Sequence, residues 1–216
     1  MERDPEQKTL RMLTEQVAFS GKRVLEIGCG PGRVTRMYAA GTRLTVGVEP
    51  DTEAVRMAAA NVPGARFVGA SGMDLPFGPD IFDVVLFTLS LHHHPDPIFA
   101  LAEARRVLKR GGRILVLEPT PESEVQRLCN VFENEDRELA AVERVLARIK
   151  PEPLSKQVFQ TRWTFTDFDD VTDFGFGYYD QPDDPEKRRA MRMFLGDKAD
   201  TRPVEMTDTL RLTCLN

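Results

Sequence analysis

Short apolar and β-branched runs punctuate the first half of the chain at residues 24–27, 44–48, 66–68, 84–87 and 114–117. Between them lie helical patterns at 34–40, 52–61 and 98–109, and in the last of these Ile98, Leu101 and Leu108 fall on one helical face. Asp96 followed by Pro97 supplies a capping side chain and a first helical residue that needs no backbone donor. Strand and helix signals in strict alternation predict βαβ units around a parallel sheet.

The pattern changes after Glu118. Pro119 and Pro121 precede an acidic, helix-prone stretch over 122–150 that ends against Pro151 and Pro153, and it reads as a cap inserted over the sheet. Val125, Leu128, Val131 and Phe132 follow helical spacing there. Residues 158–165 then predict a strand, 167–174 and 185–195 helices, and 207–215 alternates as a last strand. The aromatic residues of this second half, among them Phe159, Trp163, Phe165 and Phe174, are expected mostly in the core.

Composition narrows the class. A chain of 216 residues that is 41% hydrophobic and 29% charged can bury a substantial core, and neither disorder nor a coiled coil fits. A net charge of −5 without a long basic run gives no general attraction to a phosphate backbone, so no nucleic-acid partner is expected. The first twenty residues lack the apolar stretch of a signal peptide or membrane span, so neither export nor a membrane partner is expected. The 3 cysteines, Cys29, Cys129 and Cys214, are odd in number and widely spaced, which suggests neither a disulfide framework nor a zinc site and predicts a reducing cytoplasm.

Candidate chemistry begins at Val24-Leu25-Glu26-Ile27-Gly28-Cys29-Gly30-Pro31-Gly32, a buried strand running into a glycine turn before a helix. Such glycines let the backbone approach a ligand that a Cβ would block. The spacing is G-x-G-x-G, and Arg33 stands where a dinucleotide fingerprint needs its third glycine, which argues against NAD and FAD. The next strand delivers Glu49 at its carboxyl end, where ligands sit in open α/β sheets and where a carboxylate can accept both hydroxyls of a ribose.

These residues, with Phe82-Asp83-Val84-Val85-Leu86-Phe87-Thr88-Leu89-Ser90-Leu91-His92-His93 and the segment from Arg106 through Gly111-Gly112 to Glu118-Pro119, stand in a fixed order. In that order the chain resembles class I S-adenosylmethionine-dependent methyltransferases, of the small-molecule branch that includes the ubiquinone and menaquinone C-methylating enzymes. The resemblance covers residues 22–119. It implies an α/β fold with a Rossmann-like, doubly wound, mostly parallel seven-stranded sheet, an antiparallel last strand and a helical cap after the fifth strand. One domain over 1–216 is expected, with an N-terminal helix in 1–21, a cofactor-binding half over 22–118, the cap in 119–155 and the closing strands and helices in 156–216.

The cofactor implied is S-adenosylmethionine. Glu26, Gly28, Cys29, Gly30 and Gly32 would line its methionine and ribose portion, Glu49 would take the ribose hydroxyls, and Pro50 would lie against the adenine. Family members commonly carry an aspartate four residues before the Leu-Pro-Phe element to accept the adenine amino group, whereas this chain has Ser71, with Gly72 and Met73 beside it. A serine hydroxyl accepts that bond more weakly. Thr88 and Leu89 match positions at the methionine end.

A sulfonium methyl is already electrophilic, so such an enzyme chiefly holds a nucleophile in line, and a general base matters only where the nucleophile must lose a proton. The 3 histidines of the chain, His92, His93 and His94, lie together after the fourth strand, and His92 is the candidate base. Consecutive histidines lack the spacing of metal ligands, and no metal is expected. In the structural alternative His93 lies under the loop and His94 is exposed before Pro95. The implied partner is a small-molecule acceptor, with the chain a monomer or homodimer; a cofactor-binding sensor or a partner subunit of another methyltransferase is the alternative function.

Overall fold

The structure, a computed structural model, describes residues 1–216. The strands in chain order are β1 (Glu2–Arg3), β2 (Arg23–Ile27), β3 (Leu44–Glu49), β4 (Arg66–Gly69), β5 (Phe82–Thr88), β6 (Leu108–Pro119), β7 (Ser155–Phe165) and β8 (Val204–Leu215). The helices are α1 (Lys8–Gln16), α2 (Thr35–Tyr38), α3 (Thr52–Asn61), α4 (Pro97–Val107), α5 (Glu124–Cys129), α6 (Asp136–Arg148), α7 (Phe168–Tyr178) and α8 (Pro185–Leu195).

β2 pairs in parallel with β3 and β5, β3 with β4, and β5 with β6, the doubly wound arrangement expected from the sequence. The sheet has eight strands, in the order β1-β7-β8-β6-β5-β2-β3-β4, and is mixed, which corrects the expected seven. The additional strand is the two-residue β1, antiparallel to β7 with Glu2 opposite Thr164 and Arg3 opposite Trp163. Two charged residues carry no hydrophobic alternation, so nothing in the pattern marked them as a strand. The helix expected within the first 21 residues starts only at Lys8, where both Asp4 carboxylate oxygens cap it, accepting from the backbone N–H groups of Lys8 (2.8 Å) and Thr9 (2.7 Å).

The chain divides into two compact units. The larger comprises Leu10–Glu118, Glu138–Gln157 and Arg211–Asn216. Its core is built on the parallel strands: Leu25, Ile27, Val85, Phe87 and Ile114 are fully buried, with Ala100 and Ala104 of α4 against them and Val142 and Leu146 of α6 in the same cluster. Strands buried on both faces are continuous apolar runs because no face is left to solvate a polar residue. α3 and α4 start on the side chains of Asp51 and Asp96; the latter accepts from Ile98 N (2.9 Å) and Phe99 N (3.0 Å). α4 stops at Val107 rather than at Lys109, because Leu108 already pairs with Phe82 in the sheet.

The smaller unit comprises Met1–Thr9, Pro119–Arg137 and Val158–Leu210. Its core joins Val125, Leu128 and Cys129 of α5 to Trp163, Phe165, Val171, Met191 and Val204. The segment expected as one helical cap is therefore two helices, with the apolar residues of α5 in this core and those of α6 in the core of the larger unit. No helix is long and apolar enough to cross a membrane.

Candidate functional site

The glycine turn follows β2 directly, at the carboxyl edge of the parallel strands of the larger unit. Gly28 and Gly30 both take positive φ, +69° and +49°, a region that costs an L side chain about 1–2 kcal/mol. The two glycines differ in what surrounds them. A Cβ on Gly28 would lie 2.5 Å from the Ser90 Cβ, so this residue lets the loop after β5 close on the turn, and the Ser90 hydroxyl completes the contact by donating to the Ile27 carbonyl (2.6 Å). A Cβ on Gly30 would meet nothing within 4 Å. The close packing thus explains Gly28, whereas the Gly30 backbone borders open space.

Glu49, half-buried at the end of β3, is fixed beside that space. One carboxylate oxygen accepts from Gly30 N (3.0 Å) and the other from Asp51 N (3.2 Å). A carboxylate offers about four lone-pair positions, and these two bonds leave about two for further donors such as a vicinal diol. Pro50 beside it is exposed. Ser71 is also exposed; its hydroxyl accepts from Met73 N (3.1 Å) and its carbonyl from Asp74 N (3.1 Å), forming a tight turn after β4. Gly72 is buried within that turn because a Cβ would come 2.2 Å from the His94 Nε2 and 2.5 Å from the Ile27 side chain.

Glu26, by contrast, is wholly buried. One carboxylate oxygen accepts from the Thr35 hydroxyl (2.6 Å) and the Tyr38 hydroxyl (2.7 Å), and the other from the Thr88 hydroxyl. Burial pushes its carboxyl above the usual carboxylate range, against the opposing pull of these three donors. Glu26 and Thr88 thus brace the turn from beneath, joining the end of β5 to the start of α2. Cys29 is buried as well, its Sγ filling the space that a Cβ on Gly47 would need, and desolvation raises its thiol pKa. Leu89 holds a left-handed φ of +59° while its N–H donates to the Leu117 carbonyl (2.7 Å), a strained residue at the carboxyl end of β5.

The histidine loop separates into unlike environments. His92 is buried, with its ring Nδ1 hydrogen-bonded to Glu118 Oε2 and its backbone N–H donating to Glu118 Oε1 (3.3 Å). His93 is exposed, its ring 4.0 Å from that of His92. His94 is half-buried, the reverse of the expectation that His93 lies under the loop and His94 in solvent. The Ser90 carbonyl can only accept, so the His94 Nδ1 at 2.9 Å carries the proton, and desolvation lowers the ring pKa and favours the neutral form. Sequence reasoning missed Ser90, His94 and Glu118 as parts of the site. Glu118 had a readable signal, an acid at the carboxyl end of a parallel strand, the same placement that identified Glu49.

The methyltransferase domain family matches residues 25–116, the segment that holds the glycine turn, Glu49 and the histidine loop. Over 158 residues the chain is 30% identical to a fatty-acid O-methyltransferase of Mycolicibacterium smegmatis, covering 63% of this chain and 58% of that one. Over 101 residues it is 33% identical to the uncharacterised methyltransferase YcgJ of Bacillus subtilis, covering 44% of this chain and 40% of the other. The crystal structure of YcgJ superposes with a TM-score of 0.68 at 20% identity, over 96% of this chain and 97% of that one. A further likeness is to a SAM-dependent methyltransferase from Aquifex aeolicus, with a TM-score of 0.50 at 19% identity over 55% of this chain and 70% of the other. The matches to the two sequence relatives thus span 40% and 58% of their lengths. Residues 25–116 thus match a methyltransferase domain, and the solved structures share the chain's fold.

Proposed function

We propose that this chain transfers a methyl group from S-adenosylmethionine to a small-molecule acceptor by in-line displacement, at the carboxyl edge of the parallel strands. The observation that carries the reading is the Gly30–Glu49 pair: a backbone surface left open where a Cβ would stand, beside a carboxylate fixed on that surface with acceptor capacity remaining. In this reading Glu49 receives the ribose hydroxyls, and the turn at Gly28, Cys29, Gly30 and Gly32 takes the methionine and ribose portion. Pro50, Ser71, Gly72 and Met73 border the adenine, Leu89 and Thr88 lie toward the methionine end, and Glu26 holds the turn in shape from within. His92 is the base where the acceptor must lose a proton.

The cofactor supplies an electrophilic methyl group, so the protein's main contribution is to place the nucleophile and exclude water. One relative is named a fatty-acid O-methyltransferase, and the ordered blocks resemble the quinone C-methylating branch. Both support a small-molecule acceptor and neither names it. Calorimetry should show binding of S-adenosylmethionine and of its demethylated product with Kd on the order of micromolar, and negligible binding of NAD. A metabolite extract incubated with methyl-deuterated cofactor should then yield a labelled small molecule by mass spectrometry. Tighter binding of NAD, or no binding of S-adenosylmethionine by the folded protein, overturns the reading.

A further inference from the structure

We propose that Arg33 anchors the carboxylate of the cofactor's methionine portion, so that the chain recognises the amino-acid end of its ligand as well as the ribose. This rests on the methyltransferase reading above and deepens it.

Arg33 stands immediately after the glycine turn, where a dinucleotide fingerprint needs a glycine. Its side chain is half-buried, yet its guanidinium donates to no acceptor and pairs with no carboxylate of the chain. Half-buried arginines elsewhere are satisfied. Arg106 donates to the Glu103 carboxylate and to the Leu75 and Phe77 carbonyls, and Arg188 donates to Asp183 (2.6 Å) and to the Thr172 hydroxyl (2.9 Å). A guanidinium has five N–H donors and keeps its charge at every physiological pH, so drawing it partly out of water without an acceptor costs free energy. An anion brought by a ligand removes that cost.

The two acids at the turn do not serve as that anion. Burial raises the Glu26 pKa, and the charge of Arg33 is among the influences that oppose the rise. Glu26 is nevertheless wholly buried, and the hydroxyls of Thr35, Tyr38 and Thr88 occupy both of its oxygens. Glu49 is held by the backbone N–H groups of Gly30 and Asp51.

Position along the turn then selects the part of the ligand that Arg33 meets. With the ribose on Glu49 beside Gly30, Arg33 lies three residues further on, a span of at most about 11 Å. The methionine portion leads away from the ribose over a chain of similar reach and carries the only carboxylate of the molecule. Adenine and ribose bear no negative charge and give a guanidinium nothing comparable. The planar fork of an arginine takes a carboxylate through two parallel hydrogen bonds, which a lysine cannot do.

The test compares two ligands by calorimetry: S-adenosylhomocysteine and its decarboxylated analogue, which keeps the ammonium, the thioether and the nucleoside. Wild type should bind the first about 10- to 150-fold more tightly, the range for a hydrogen bond to a charged group. Arg33→Gln should lose most of that preference by weakening S-adenosylhomocysteine, with the analogue kept within about twofold, which also shows that the site is still formed. Arg33→Lys, which retains the charge without the fork, should fall between the two. Glu49→Ala should weaken both ligands by the same factor, because the ribose is common to them. Melting temperatures of the Arg33 variants should lie within about 2 °C of wild type, since no bond inside the chain is lost. An equal loss for both ligands in Arg33→Gln, an unchanged preference in that variant, or a wild type indifferent to the carboxylate overturns the proposal. Failure of the folded wild type to bind either ligand instead overturns the methyltransferase reading itself.

Discussion

Gly30→Ala separates the role of the turn in folding from its role in binding. The substitution places a methyl group at φ +49° where no atom lies within 4 Å, so its effect on the folded protein is backbone strain alone. That strain is about 1–2 kcal/mol, and the smaller entropy of an alanine in the unfolded chain offsets about 0.4–1 kcal/mol of it. The net loss is about 1 kcal/mol, or about 2–4 °C in Tm for a chain of this size. Gly111→Ala provides the matched control, since Gly111 has φ +79° and also meets nothing within 4 Å, but lies in the irregular start of β6. Both variants should melt slightly early and by similar amounts. Their cofactor binding should differ: a methyl group forced into an occupied contact costs about 1–3 kcal/mol, so Gly30→Ala is expected to weaken S-adenosylmethionine about 5- to 150-fold in calorimetry, and Gly111→Ala not at all. Gly28→Ala cannot make this distinction, because its Cβ would strike Ser90 at 2.5 Å and disturb the fold itself. Equal cofactor affinity in Gly30→Ala and Gly111→Ala would refute the placement of the cofactor over Gly30.

Glu49→Ala removes the acceptor of the Gly30 and Asp51 N–H groups as well as the proposed diol partner. Cofactor affinity should fall by about 1.5–3 kcal/mol, read by calorimetry on a variant shown by circular dichroism to be folded, and unchanged affinity would remove Glu49 from the site. Asp83 concerns stability instead: burial tends to raise its pKa, but the Arg23 N–H (2.8 Å) and the Lys109 ammonium (2.9 Å) outweigh this and hold it below the usual carboxylate value. A depressed carboxylate contributes stability above its unfolded pKa, near 3.8, and that contribution disappears as pH falls through the folded value. Asp83→Asn should therefore cost about 1 kcal/mol at pH 7 in urea unfolding, discounted for the partly exposed pair, and the gap from wild type should close toward pH 2. A gap independent of pH would show that the charge on Asp83 contributes nothing.

The parallel strands were legible because each is buried on both faces and must be apolar, and α3, α4 and α8 because an aspartate stands at each N-cap with Thr52, Pro97 or Pro185 after it. β1 was not, since a two-residue edge strand is specified by its partner rather than by its own composition. The division of residues 122–150 between two cores was hidden for a related reason. Helical periodicity gives the face that is buried but not what buries it, and the acidic turn between α5 and α6 had the same composition as a solvated helix face. The site shows the same limit. The glycines, Glu49 and Glu118 stand at strand ends that the sequence marks, whereas Ser90 and His94 act through contacts with the Ile27 carbonyl and Gly72, distant in sequence, which no spacing rule within one segment can reveal.

Glu26 and Glu49 show how far apart two acids at successive strand ends can be in role. The family resemblance puts Glu26 on the cofactor side of the turn, and the strand-end position puts Glu49 there. Glu26 is wholly enclosed, and each of its three hydrogen bonds comes from a protein hydroxyl. Because burial raises its folded pKa, the folded state favours the protonated form, and stability falls as pH rises from the unfolded value toward the folded one. A leucine would avoid that penalty, but it would leave the hydroxyls of Thr35, Tyr38 and Thr88 without the acceptor that draws them together. Thr35 opens α2, Tyr38 ends it and Thr88 ends β5, so one carboxyl sets where the helix and the strand stand on either side of the turn. Glu49 is only half-buried, and its two bonds come from the backbone N–H groups of Gly30 and Asp51. The buried acid fixes the turn, and the accessible one keeps acceptor capacity for a further donor. Motif position cannot tell the two apart, because the difference lies in the residues that surround each carboxyl.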